Sequence, residues 1–349
     1  MLNSDYSLLD RFIHRVALQS KAVAEMSFDM DNASVKKSEN PFPDNHVFIS
    51  GLARSGTTIL MRSLYETGQF KSLTYEDMPF VLMPNVWKKI SHRKASTELK
   101  ERAHKDGIMV GFDSPEAFEE VFWRVFSGKD YIFSDRLRIQ RADDELLKKF
   151  KDYVDNILMS GDPKTQTRYL SKNNNNVLRF KYLNKIMPGS HIVIPFREPL
   201  QHAISLLNQH THFSKIQSED KFSLEYMSWL GHFEFGLNQK PFFLGDEKIF
   251  NDLANYPKTD INFWLLSWKN YYQYVSGLNT TSTIFFNYER FCEDQQAQLY
   301  VLFEKLNIKD NKVQLAPFTL ATKNIDGVER GILNECLSIY TKLDERSQS

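Results

Sequence analysis

Residues 46–50, His-Val-Phe-Ile-Ser, read as a short strand that runs without a linker into Gly51-Leu52-Ala53-Arg54-Ser55-Gly56-Thr57-Thr58, and a helical pattern of Ile59, Leu60 and Leu64 follows. Strand, glycine-rich turn and helix in that order build a cradle for an anion. The first amides of a helix have no acceptor within the helix, and they add to its positive end. Gly51 and Gly56 permit close approach of the backbone because neither carries a side chain. Ala53 and Ser55 contribute loop backbone, Arg54 adds a fixed cation, and Thr57 and Thr58 add hydroxyl donors. The loop lacks the lysine of the ATP-binding pattern, because Thr57 follows Gly56 where that lysine belongs, and the Gly-x-Gly-x-x-Gly dinucleotide spacing is also missing. The cradle therefore suits an anion other than magnesium-bound ATP.

The rest of the chain alternates short apolar runs with helical periodicity. Residues 169–172 form a strand candidate closed by four asparagines, and residues 191–196 give the best buried-strand signal, with no polar alternation. Residues 283–287 form the last clear strand, and residues 108–112 are a further short apolar run. Helices are expected over 116–126 (opened by Ser114 and Pro115), 143–159, 177–186, 200–207, 261–276 and 291–306. Residues 213–260 read as aromatic-rich and irregular. In residues 1–28 a leading helix would carry Leu8, Leu9, Phe12 and Val16 near one face, and 29–45 read as a loop. This alternation predicts an α/β fold with a mainly parallel central sheet covered by helices on both faces, a P-loop-like three-layer αβα arrangement. The expected division is an N-terminal extension over 1–45 and one domain over 46–349.

With 44 basic and 44 acidic residues the chain has no global field to attract nucleic acid. Cys292 and Cys336, the only cysteines, indicate no disulfide framework, and the nine histidines form no recognisable metal-ligand set, so no metal is expected. No apolar stretch approaches the roughly 18 residues a membrane helix needs, and no signal-peptide pattern opens the chain. A cytoplasmic protein with no membrane span is expected. A homodimer is compatible with the sequence, which marks no interface for it.

A second anion site is expected at Arg197, just past the strand of residues 191–196, with Ser205 eight residues on along the following helix. Ligands in open parallel sheets gather at the carboxyl ends of strands, so Arg54 and Arg197 are expected to face one crevice. Together these segments resemble the sulfotransferases that use 3′-phosphoadenosine 5′-phosphosulfate (PAPS). Residues 51–58 look like their 5′-phosphosulfate loop, in the branch where arginine replaces lysine (the carbohydrate and tyrosylprotein sulfotransferases). Residues 192–205 look like their 3′-phosphate motif, whose arginine and serine are matched by Arg197 and Ser205. Lys172 falls at their lysine-bearing strand end, and residues 286–291 are similar to their tyrosine-glutamate segment. The resemblance spans roughly 46–292 and implies sulfuryl transfer from PAPS to a hydroxyl or amine, on a small-molecule or glycan acceptor. A carbohydrate is the preferred class.

Such transfer needs a base for the acceptor proton. In related enzymes a glutamate about twenty residues beyond the loop looks like this base, and Glu76 matches it, with Asp77 as the neighbouring alternative. Asp113, Glu116 and His92 are further candidates. Arg54 would stabilise the departing phosphate. Two other functions compete: a P-loop kinase with an atypical loop acting on a small molecule, and a non-catalytic nucleotide-binding protein.

Overall fold

The computed structural model describes residues 7–35, 42–91, 100–101, 109–110, 114–278, 282–309, 313 and 322–348. At its centre lie five parallel strands: β1 (Val47–Ile49), β2 (Phe70–Lys71), β3 (Arg168–Lys172), β4 (His191–Phe196) and β5 (Thr283–Asn287), in the order β2-β3-β1-β4-β5. β1 is central, with Ile49 opposite Lys172 on one side and Val193 on the other. The loop that leaves β1 is therefore flanked by the carboxyl ends of β3 and β4, where Lys172 and Arg197 lie.

Side-chain alternation divides the interior into two cores. Val47, Ile49, Leu170, Val193 and Phe286 pack beneath helices Thr57–Tyr65 and Gln295–Lys305. Phe48, Tyr169, Ile192, Ile194 and Phe285 face the larger core, which includes Ala203, Leu265, Trp268 and Leu343 from helices Pro199–Glu219, Ile261–Ser276 and Arg330–Ser347. Residues 191–196 thus lack polar alternation because both their faces are buried, and the expected three-layer α/β architecture is the one observed. No helix among the described residues is long and apolar enough to cross a membrane.

Several elements differ from the sequence reading. Ser114 and Pro115 do not open a helix: Pro115 bridges antiparallel to Thr74, the Glu116 amide donates to the Leu73 carbonyl, and the helix begins at Glu120. Here tertiary pairing overrides a local start signal. Met109–Val110 pairs antiparallel with Lys100–Glu101, outside the central sheet. Helix Pro199–Glu219 runs well past residue 207, because His210, Phe213 and Gln217 continue its buried side between polar residues. The 213–260 stretch contains helices Lys221–Trp229 and Glu247–Leu253. At the N-terminus two helices, Leu8–Gln19 and Lys21–Ser34, replace the single helix and part of the expected loop. Leu8, Leu9, Phe12 and Val16 do share a face of the first, and that face is exposed. Arg11 and Arg15 hold the helix to the body through Asp220 and Glu225.

The four asparagines after β3 form a 3-10 turn, Asn174–Leu178 preceded by Asn173, and all four are buried. Asn173 Nδ2 donates to Glu120 at 2.8 Å and to Glu119 at 3.2 Å, while its Oδ1 accepts from the Asn175 amide. Arg179 locks this network: its guanidinium meets the Glu120 carboxylate at 2.6 Å and Gln140 at 2.6 Å, and lies over the Trp123 ring. Both members of the ion pair are fully enclosed, so removing one strands the other's charge. Arg179→Met is expected to destabilise the protein by about 3–5 kcal/mol, read as a lowered urea midpoint with an unchanged slope. A loss within 0.5 kcal/mol of zero would show that the network adds no stability.

Candidate functional site

The loop after β1 is forced tight by its surroundings. A Cβ on Gly51 would sit 2.8 Å from the Pro195 carbonyl oxygen and 2.5 Å from Ser55 Oγ, so only glycine lets β1 and β4 stay paired up to this point. Gly56, at φ +94°, turns the chain into helix Thr57–Tyr65, and a Cβ there would meet the Tyr288 ring at 2.8 Å. Gly56, the residue before this helix, has no side chain with which to cap it, and a helix start of this kind is where an anion can be received. Arg54 takes the left-handed region with φ +72°, at a cost of about 1–2 kcal/mol for a residue with a Cβ. Backbone strain of this kind concentrates at binding and catalytic loops.

The strained loop is held by helix Pro199–Glu219. His202 lies fully buried with Nε2 2.7 Å from the Ala53 carbonyl oxygen. Burial pushes its pKa down to about 3, so the ring is neutral and Nε2–H donates to the carbonyl. One turn on, Ser205 Oγ accepts from Arg54 Nε at 3.3 Å. The two segments expected from the sequence are therefore in contact: the arginine of the first loop touches the serine of the second.

Arg197 follows β4. Its carbonyl accepts from Trp268 Nε1 at 3.1 Å, and its guanidinium carbon lies 4.9 Å from the centre of the Tyr288 ring. Its Nε is buried and has no hydrogen-bond partner. Glu198 beside it caps its own helix through the amides of Leu200 (3.2 Å) and Gln201 (2.7 Å), and the nearby Glu289 feels its charge without a hydrogen bond to that Nε. Tyr288 and Glu289, which start the helix after β5, complete this side. Tyr288 stacks on Arg197, and Glu289 accepts from the Glu198 amide at 3.1 Å and from the Tyr340 hydroxyl at 3.1 Å. Burial raises the Glu289 pKa against these hydrogen bonds.

On the other flank, Lys172 ends β3 with Nζ 3.5 Å from Glu116 Oε1. Glu116 also accepts from the Ala117 amide at 3.0 Å and from the Tyr75 hydroxyl at 3.3 Å. Lys172 shares the sheet face of Ile49, toward helix Thr57–Tyr65, so this cluster stands beside the anion loop. Asp77 is buried and occupied. Its carboxylate accepts from the Thr74 amide (2.7 Å) and hydroxyl (3.2 Å), capping the 3-10 turn Tyr75–Asp77, and burial raises its pKa. Glu76, on the same turn, is exposed, and its carboxylate makes no hydrogen bond or ion pair with any described residue. His92 and Asp113 lie outside the described residues. His202, His210 and His212 form no cluster: His202 binds the loop, and His210 Nδ1 accepts from the Gly236 amide.

Two participants were not singled out from sequence in these roles. His202 acts on a residue 149 positions away, and no local pattern signals that contact. Trp268 was read only as part of a helix, whereas its indole fixes the backbone at Arg197.

The loop after β1 and the arginine after β4 thus lie at one carboxyl edge of the sheet, joined through Arg54 and Ser205. The model of the sulfotransferase family matches residues 46–312, and the chain belongs to that family. Among solved structures it is similar to sulfotransferase STF1 from Mycobacterium tuberculosis H37Rv, at 11% identity and a TM-score of 0.46, covering 97% of this chain and 85% of that one. Sulfotransferase STF9 from Mycobacterium avium is similar at 12% identity and a TM-score of 0.43, covering 96% and 80%. The sulfotransferase from Alicyclobacillus acidocaldarius follows at 12% identity and 0.41, covering 87% and 94%. No curated protein matches the chain.

Proposed function

We propose that the protein transfers a sulfuryl group from PAPS to a hydroxyl, in preference to an amine, and that the acceptor is carbohydrate-like. The observation that carries the donor assignment is the Arg54–Ser205 hydrogen bond, which makes one continuous surface of the two anion sites. The loop amides with Arg54, Thr57 and Thr58 would take the 5′-phosphosulfate, and Arg197 with Ser205 the 3′-phosphate. The unpartnered Nε–H of Arg197, buried beside Tyr288, is a donor awaiting an acceptor.

In this reading Glu76 takes the proton from the acceptor hydroxyl as the acceptor oxygen bonds to sulfur. The bond between sulfur and the bridging phosphate oxygen breaks, and adenosine 3′,5′-bisphosphate leaves with the electron pair. Arg54 and the loop amides meet the charge that grows on the departing oxygen. Lys172, held by Glu116, adds a second cation at the same end of the sheet. Glu76 is favoured as base over Asp77 and Glu116 because the latter two carboxylates are already committed to hydrogen bonds.

Calorimetric titration tests the donor. Adenosine 3′,5′-bisphosphate is expected to bind in the absence of magnesium, and ATP-magnesium to bind far more weakly. The reverse order would support the kinase alternative, and bisphosphate binding without donor cleavage would support a non-catalytic nucleotide-binding protein. Arg197→Ala is expected to weaken bisphosphate binding about 10–100-fold, the loss of a hydrogen bond to a charged group of roughly 1.5–3 kcal/mol. Most of that loss should appear in the donor KM, because the 3′-phosphate takes no part in the bond changes.

A further inference from the structure

The anion loop contains a four-residue turn, Leu52 to Ser55, closed by the Ser55 amide on the Leu52 carbonyl at 3.2 Å. Its third residue is Arg54, at φ +72°, and Ala53 before it stays at negative φ. That combination belongs to the turn type that normally places glycine or asparagine third. It differs from the commonest turn, which an arginine enters without strain, in its middle peptide: the Ala53 carbonyl and the Arg54 amide are turned over together as one rigid plane. The direction of that peptide therefore sets the backbone from which the Arg54 side chain departs.

One side chain holds the peptide in this direction. His202 Nε2 donates to the Ala53 carbonyl at 2.7 Å from a fully enclosed position, and its other ring nitrogen has no partner. A polar ring with an unused buried nitrogen is costly to a core, so the contact at the loop is what the histidine contributes. With the peptide turned over, the carbonyl oxygen would point away from His202 and the hydrogen bond could not form. Three residues on, and so on the same side of the helix, Ser205 accepts from Arg54 Nε at 3.3 Å. One helix thus fixes both the peptide before Arg54 and the side chain of Arg54. We infer that His202 is a positioning residue for transfer: its hydrogen bond to the Ala53 carbonyl locks the middle peptide of the turn and keeps Arg54 in the left-handed conformation that aims its guanidinium. His202 acts through Arg54 and not on the reacting atoms. Its part in transfer rests on the sulfuryl-transfer reading, and its hold on the turn does not.

Two variants of the full chain separate the ring from the donor. His202→Phe keeps a ring beside Tyr272, whose ring centre lies 6.1 Å from that of His202, and removes the N–H. His202→Gln gives up the ring and keeps an N–H of similar reach. Transfer is read as labelled sulfate released from sulfur-labelled PAPS, with water as the acceptor. His202→Phe is expected to lower the rate about 10–100-fold, the scale of a misplaced catalytic group. Affinity for adenosine 3′,5′-bisphosphate should stay within about threefold of the parent, so that the loss falls on the chemical step. His202→Gln should keep most of the rate. The opposite order of the two variants would mean that the ring serves packing alone, and overturns the inference. Urea unfolding reads the turn without any nucleotide. With His202 present, Arg54→Gly should unfold at higher urea than Arg54→Ala, because glycine carries no left-handed penalty. Combined with His202→Phe, the peptide is free to turn over and that advantage should vanish. Its absence with His202 present, or its persistence without the donor, overturns the inference. Should His202→Phe fail to fold, a collapse of transfer in folded His202→Gln overturns it alone. Failure of the parent protein to bind the bisphosphate or release sulfate would tell against the sulfuryl-transfer reading, and the urea comparison would still decide whether His202 locks the turn.

Discussion

Glu76→Gln is expected to lower turnover by about 10²–10⁴-fold, the usual range for a lost general base, with affinity for adenosine 3′,5′-bisphosphate unchanged. The amide keeps the size and exposure of the side chain but cannot accept the acceptor's proton. The 3-10 turn that carries it should persist, because its cap is Asp77 on Thr74 and not Glu76. Glu116→Gln is the informative companion. Glu116 holds Lys172 and the Tyr75 hydroxyl, so its amide variant should weaken bisphosphate binding as well as turnover. Steady-state kinetics with labelled donor, paired with calorimetry, separates the two. Near-normal turnover in Glu76→Gln with a collapse confined to turnover in Glu116→Gln would move the base to Glu116.

Arg54→Ala is expected to reduce kcat by about 10²–10³-fold, the cost of removing one donor from developing charge in the transition state. The loss in bisphosphate affinity should be smaller, because charge on the bridging oxygen grows during transfer. Backbone strain offers an internal control. At φ +72° alanine keeps the left-handed penalty, whereas glycine removes it. Arg54→Gly should therefore be more stable than Arg54→Ala to urea, by about 1 kcal/mol, yet equally impaired in turnover. Equal stability of the two variants would mean that the loop relaxes out of the left-handed region when the guanidinium is lost. Recovery of activity by Arg54→Gly would mean that the guanidinium contributes nothing to the chemical step.

The parts of the fold that could be read from sequence are those whose signal is local. β3, β4 and β5, helix Asp144–Met159 and helix Ile261–Ser276 each carry their own period or an unbroken apolar run, and they lie where expected within a residue or two. β2 is two residues long and exists because Phe70 pairs with Arg168, a partner that no window around residue 70 contains. Helix Arg330–Ser347 was not anticipated. Its exposed side is heavily polar, and it is fixed by contacts with Ile261–Ser276 and β5, such as Asn287 with Asp344. Ser114-Pro115-Glu116 carries a good helix-start signature, and the bridge to Thr74 defeats it.

The site divides along the same line. The placement of the glycines, Arg54, Thr57, Thr58, Arg197 and Ser205 was legible because the first loop is written in consecutive residues between a strand and a helix, and the second segment in a strand and the first turns of the next helix. What brings them together was not legible. The His202 contact with Ala53, the seating of Arg197 on Tyr288 and the commitment of Asp77 to a cap are settled by packing between segments distant in sequence.

The hydrogen bond between Arg54 and Ser205 has a consequence for which nucleotide the enzyme can use. A serine hydroxyl accepts through its oxygen and donates through its hydrogen at once. Ser205 can accept from Arg54 Nε while turning its own proton toward a phosphate on the ribose 3′ position. A donor with that phosphate would draw Ser205 into a fixed orientation and, through it, restrain the guanidinium that, on the proposed reading, meets the leaving group. Adenosine 5′-phosphosulfate, which lacks the 3′-phosphate, would leave the hydroxyl rotor loose and Arg54 less well aimed. The discrimination between the finished donor and its precursor would then be exerted in the chemical step as well as in binding, by a single rotatable O–H.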